Sequence, residues 1–272
     1  MKDNNMVNIL RKSGERFAKT PYRDYRYLQG DEKLIWQALS AAEHTDLKEP
    51  QRLRIKYNFT VTKGTKESTE NILERAIAAV NNLEGKTFFN QYPFNKGEHI
   101  DLVRKSQNMT EIIELKQWNN DKDSPLYALI EILKYYHLLA DKKHTQFAAK
   151  TFLPQKEITD LTVLAPTQYF DNFPVTGALE TLAEKLANLI SGLKGKGITI
   201  SFKSFDLSQD EFDSLKYSLK DKNGNTVKEL LTVSNKAKNI SWDTPYNMQQ
   251  LSQYKDKLLW KNWRTLWPGK PL

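Results

Sequence analysis

The chain contains no cysteine. That excludes disulfides, thiolate metal sites and cysteine nucleophiles, and it suits a reducing, cytoplasmic compartment. Long apolar runs are absent too. No stretch approaches the roughly 20 apolar residues that a membrane helix needs, so no membrane partner is expected. The N-terminal stretch MKDNNMVNILRKSGERF lacks the apolar centre of a secretory signal. No GxxxxGK[ST] loop and no GxSxG turn occurs, which removes two common signatures of NTPases and serine hydrolases. The histidines His44, His99, His137 and His144 show no metal-ligand spacing. No repeat or low-complexity tract is evident. Acidic residues are in the minority, 33 against 41 Lys and Arg, for a net charge of +8. That balance favours polyanions such as nucleic acid through counterion release and steering, although a lysine-rich surface also serves solubility alone.

At 272 residues the chain holds one large domain or two small ones. It is organised around residues 98–118, EHIDLVRKSQNMTEIIELKQW. Branched apolar residues at Ile100, Leu102 and Val103, then Ile112, Ile113 and Leu115, predict two strands over 98–105 and 110–118, joined by a turn at Gln107-Asn108. Charges interrupt both strands: Asp101 in the first, Glu114 and Lys116 in the second. Side chains alternate faces along a strand, so Glu114 and Lys116 share a face and Leu115 points away. If the strands pair, Asp101 comes close to Glu114. Two carboxylates and an ammonium at the end of a sheet are costly to desolvate without compensation, and a divalent cation with oxygen ligands supplies it. A plain salt bridge between neighbouring strands is the alternative.

Asp101 followed by Glu114-x-Lys116 on the next strand resembles the core of the PD-(D/E)xK, or restriction-endonuclease-like, nucleases. The likeness covers about residues 67–166. Ile100 stands where many members have proline. The resemblance implies an α/β fold with a central mixed sheet flanked by helices, its core running helix, three strands, helix, strand. It implies a metal-dependent nuclease that hydrolyses phosphodiester bonds with Mg²⁺ or Mn²⁺, most of all in DNA, in a restriction, repair or phage-defence setting. Asp101 and Glu114 are then metal ligands, with the backbone carbonyl of Leu115, and Lys116 orients water or neutralises phosphate. The family's first helix often adds a carboxylate, for which Glu70 is the first candidate and Glu74 the alternative. His99 and Gln117 are expected to line the site. Some members carry Gln-x-x-x-Tyr on the second helix; here it is Glu131-x-x-x-Tyr135, and that motif is not carried over. Two other readings stay open: an inactive nuclease-fold module that binds nucleic acid or a partner subunit, homodimer included, and an RNA-cleaving toxin or effector.

The flanks complete the layout. Residues 1–66 read as an extension with a helix over 32–43 and a basic-faced strand over 53–59, in which Leu53, Ile55, Tyr57 and Phe59 alternate with Arg52, Arg54, Lys56 and Asn58. Residues 67–206 read as the core: a helix from Ser68 or Thr69 to Leu83 closed by Gly85, a strand over 86–94, the central pair, a helix over 125–140 capped by Ser124, a strand over 158–165, a helix over 176–193 and a strand over 197–205. Residues 207–272 read as a hairpin about Asn223-Gly224 and an amphipathic helix over 245–267, packed on the core.

Overall fold

In a computed structural model of the chain, the described residues are 59–61, 67–95, 98–107, 109–118, 124–140, 158–194, 197–233 and 238–268. Along them run β1 (Phe59–Val61), α1 (Glu67–Leu83), β2 (Thr87–Asn95), β3 (Glu98–Lys105), β4 (Thr110–Leu115) and α2 (Pro125–Ala140). Then come β5 (Ile158–Pro166), α3 (Thr167–Asn172), α4 (Gly177–Lys194), β6 (Thr199–Phe205), α5 (Gln209–Ser218) and α6 (Val227–Val233). The last are β7 (Lys238–Ile240), α7 (Thr244–Ser252), α8 (Lys255–Leu258), a 3₁₀ turn (Trp260–Asn262) and β8 (Arg264–Pro268). The expected helix over 32–43 and most of the basic strand over 53–59 lie outside the described residues.

Six strands form one mixed sheet in the order β2-β3-β4-β5-β6-β8, and β1 pairs with β7 in a separate antiparallel ladder. β2, β3 and β4 run antiparallel to one another; β4, β5 and β6 run parallel; β8 closes the far edge antiparallel to β6. Helices cover both faces. On one, Ile112, Val163 and Phe202 pack with Leu129, Leu133 and Tyr136 of α2 and with Leu182, Leu186 and Ile190 of α4. On the other, Leu102, Ile113, Leu115 and Leu164 meet Ile72, Leu73, Ala76, Ile77 and Val80, the apolar stripe of α1. Among the described residues no helix is long and apolar enough to cross a membrane.

Local chemistry sets the element ends. α1 stops where Gly85 takes φ +71°, a conformation that an L side chain resists, and its N–H reaches the Asn82 carbonyl at 3.1 Å. α2 starts where the Ser124 hydroxyl accepts the Tyr127 N–H at 3.3 Å, with Pro125 in the first turn. The β3–β4 connection is a tight turn in which the Ser106 N–H donates to the Met109 carbonyl at 2.8 Å.

Beyond 206 the expectation fails in two places. Asn223-Gly224 is a turn, with Gly224 at φ +82° and Asp221 Oδ1 accepting the N–H groups of Asn223 and Asn225; a single antiparallel bridge between Lys220 and Thr226 closes it, and helices rather than hairpin strands lie beyond. Both helices begin with reciprocal caps. Ser208 Oγ accepts the Glu211 N–H at 3.3 Å and Glu211 accepts the Ser208 N–H at 3.0 Å. Thr226 and Glu229 repeat the arrangement at 3.1 and 2.6 Å. The tail is not one helix either; it breaks into α7, α8, the 3₁₀ turn and β8. Side chains intercept its helical bonds: Asn81 Oδ1 accepts the Trp260 N–H at 2.9 Å, Asn81 Nδ2 donates to the Leu258 carbonyl at 3.0 Å, and Asn262 Nδ2 donates to the Asp256 carbonyl at 2.7 Å. The freed chain then extends as β8. Its tryptophans face protein: Trp263 meets Phe88 edge-on at 6.1 Å, and Trp267 lies 6.2 Å from Phe202.

Asn81 thus ties the tail to α1. It is wholly buried, and Asn81→Ala leaves the part-buried Trp260 N–H unsatisfied and takes one of two donors from the Leu258 carbonyl, which keeps only the Trp263 indole N–H at 3.2 Å. A loss of about 2 kcal/mol is expected in urea unfolding, with earlier tryptic cleavage between 253 and 264.

Candidate active site

The β3–β4 register pairs Leu102 with Ile113, which sets Asp101 across from Glu114. The Leu115 N–H donates to Asp101 Oδ2 at 2.7 Å. The Leu115 amide thus anchors this carboxylate. The Lys116 backbone N–H donates to the Leu164 carbonyl at 2.9 Å, so Lys116 stays in line with the sheet just past β4. Its Nζ lies 2.7 Å from Glu114 Oε1 and 2.8 Å from Glu131 Oε2 of α2. Glu114 and Lys116 are each only 4% exposed, so the pair sits well away from bulk water. Glu114 Oε2 is buried with no hydrogen-bond partner. The Tyr127 ring lies 5.4 Å from the ammonium, and its hydroxyl donates to Glu131.

The proton affinities follow. Burial, then the charges of Glu74 and Glu70, push the Asp101 carboxyl well above the usual range, against the pull of Lys116 and the Leu115 N–H. Burial and Asp101 do the same to Glu114, again opposed by Lys116. Burial alone would depress Lys116, but Glu114, Glu131, Asp101 and Glu70 hold its ammonium well above its ordinary value. Burial would raise Glu131; Lys116 and the hydrogen bonds it receives outweigh that and keep it below the normal carboxylate range.

Both candidate helix glutamates bear on Asp101, Glu74 more strongly than Glu70, and Glu74 is the buried one. Beside it, the Arg75 guanidinium is brought down to about 10 by burial, against the Glu74 charge, and donates to the Gln91 amide oxygen at 3.2 Å. Gln91 holds φ +52° in β2 at the position facing Asp101 across the ladder. An L-residue in that region carries about 1–3 kcal/mol of backbone strain.

No family model, no curated protein and no solved structure matches the chain.

Among the described residues, no group of three or more His, Cys, Asp or Glu side chains is gathered tightly enough to hold a metal ion as it stands. The donor set itself fits a hard cation. Asp101 and Glu114 are oxygen donors raised in proton affinity, and one Glu114 oxygen is buried without a partner. Mg²⁺ or Mn²⁺ binds through one or two carboxylates and keeps waters in its other positions, so two protein ligands suffice. Further acids flank the pair, Glu74 and Glu70 beside Asp101 and Glu131 beside Glu114.

Four members of the cluster escaped the sequence reading. Glu131 and Tyr127 come from α2, and Gln91 and Arg75 support the other side. Only Glu131 left a trace, as the acidic partner in Glu131-x-x-x-Tyr135. Of the expected lining residues, His99 stands two positions before Asp101 and Gln117 directly follows Lys116; both are half-buried.

Proposed function

We propose that the chain is a metal-dependent nuclease of the PD-(D/E)xK type, hydrolysing phosphodiester bonds, with DNA as the substrate. The reading rests on one observation above all: Asp101, Glu114 and Lys116, from two strands and the residue beyond them, share one buried corner of the sheet. The order α1-β2-β3-β4-α2-β5, the mixed sheet and the net charge of +8 support it.

In this reading Asp101 and Glu114 hold Mg²⁺ or Mn²⁺, which supplies an activated water and relieves charge on the phosphate. Lys116, whose ammonium its acidic neighbours favour, would face the phosphate oxygens as a cation or orient the attacking water. The Leu115 N–H fixes the Asp101 carboxylate at the strand end. Glu74 or Glu70 adds charge that favours a cation over a bare pair of carboxyls.

One observation favours a second reading, a nucleic-acid-binding module without turnover. The Lys116 ammonium already occupies a Glu114 oxygen that a metal would use. Plasmid and linear DNA incubated with Mg²⁺ or Mn²⁺, and in parallel with EDTA, separate the two. Cleavage that needs the cation is expected. DNA retention that is salt-sensitive, indifferent to metal and never followed by cleavage would leave only the binding module.

A further inference from the structure

We propose that Lys116 is a built-in occupant of the cation seat on Glu114, and that Glu131 is a positioning residue: the second seat onto which the ammonium moves when a dication enters. This goes beyond the nuclease reading but rests on its assignment of Asp101 and Glu114 as ligands.

The geometry is that of a bridge. One ammonium meets two carboxylate oxygens at nearly equal distance, 2.7 Å on β4 and 2.8 Å on α2. An ammonium has three N–H donors and can leave one partner while keeping the other. The two seats differ. The Glu114 side chain is 5% exposed and that of Glu131 is 24% exposed, with Tyr127 holding the Glu131 carboxylate. The second oxygen of Glu114 is also buried, and the Glu131 carboxyl lies beside Glu114. A dication held by Asp101 and Glu114 would contend with the Lys116 charge on the same Glu114 carboxylate. Expelling the ammonium into the interior with no counterion would be strongly unfavourable. Glu131 removes that obstacle, because the ammonium remains paired throughout. No bond forms or breaks, and no proton is transferred.

The signs follow. Removing the competitor tightens dication binding. Neutralising the second seat leaves Glu114 as the only carboxylate paired with the ammonium, and also strips a negative charge, so binding weakens. Mn²⁺ titration of the full chain at neutral pH, read by electron paramagnetic resonance or calorimetry, measures this without turnover. Lys116→Met is expected to bind Mn²⁺ about tenfold tighter than wild type, and Glu131→Gln about fivefold weaker. Where Lys116→Met does not fold, Glu131→Gln decides alone, since its amide oxygen still accepts from the ammonium and its site is partly exposed.

Wild-type Mn²⁺ binding unchanged by Glu131→Gln, or weakened by Lys116→Met, overturns the exchange and leaves the nuclease reading standing. The expected shifts in a protein that cuts no nucleic acid uphold the exchange and overturn the nuclease reading. A wild type that binds no Mn²⁺ overturns both.

Discussion

Asp101→Asn is expected to lower DNA cleavage roughly a thousandfold or more while making the metal-free protein harder to unfold at neutral pH. The two halves share a cause. The Asp101 carboxyl is buried beside Glu74 and Glu70, and both effects push its proton affinity well up. A carboxyl raised in the fold contributes stability that is fully present below its unfolded value, near 4, and lost as pH rises through the folded value. At neutral pH the wild type therefore carries the strain of a charge, or of a proton held against the solution. Asparagine has neither, and its side-chain oxygen still accepts the Leu115 N–H. The gain should be nil near pH 4 and grow to about 1–3 kcal/mol by pH 8, in urea unfolding with chelator present. An ordinary structural ion pair predicts the reverse, because deleting one partner leaves the other unpaired. An asparagine variant that cuts DNA normally and gains no stability at any pH would remove Asp101 from the site.

Much of this site was legible because strand alternation is strict. Once 98–105 and 110–115 are strands joined by a short turn, Asp101 must face Glu114, and Glu114 must share its side of the sheet with Lys116. The helices of the core were legible from their stripes and caps. Glu131 was hidden for a different reason: it reaches Lys116 from another element 15 residues away, and no local period reports that. Arg75 and Gln91 were hidden in the same way, and the φ of Gln91 has no signature in a strand of ordinary composition. The C-terminal misreading was avoidable in part. Ser208-x-x-Glu211 and Thr226-x-x-Glu229 are capping boxes in plain view, and they outweigh the hairpin signal of Asn223-Gly224. The broken tail was not avoidable, since its pattern is helical and the groups that unwind it include Asn81, far back on α1.

Glu111→Ala should be the most damaging single substitution to stability, removing about 3–5 kcal/mol. Glu111 sits on β4 three residues before Glu114, on the opposite face of the sheet, and is wholly buried. Its Oε1 accepts from Lys203 Nζ at 2.6 Å and from the Thr162 hydroxyl at 2.5 Å, and its Oε2 accepts from Arg104 Nε at 2.6 Å. The Arg104 guanidinium in turn lies 3.8 Å from the centre of the Trp260 ring, so this network also seats the tail. Alanine removes the counterion that buried Arg104 and part-buried Lys203 share, leaving them only the more distant charge of Asp160. Against a typical stability of about 5–15 kcal/mol, that is a large fraction. The pH dependence runs opposite to that of Asp101. Burial alone would raise Glu111, but Lys203 and Arg104 prevail and hold it below the ordinary carboxylate range. Its contribution is therefore complete above the unfolded value, near 4.5, and lost as pH falls through the folded one. One short strand thus carries two carboxylates that pull in opposite directions, Glu111 weakening the fold in acid and Glu114 straining it toward alkali. Urea midpoints of metal-free protein between pH 3 and pH 9 should show both limbs in the wild type, the acid limb flattened by Glu111→Ala and the alkaline limb by Asp101→Asn. A Glu111→Ala protein within about 1 kcal/mol of wild type at pH 7 would mean that the network contributes little, as an exposed ion pair does.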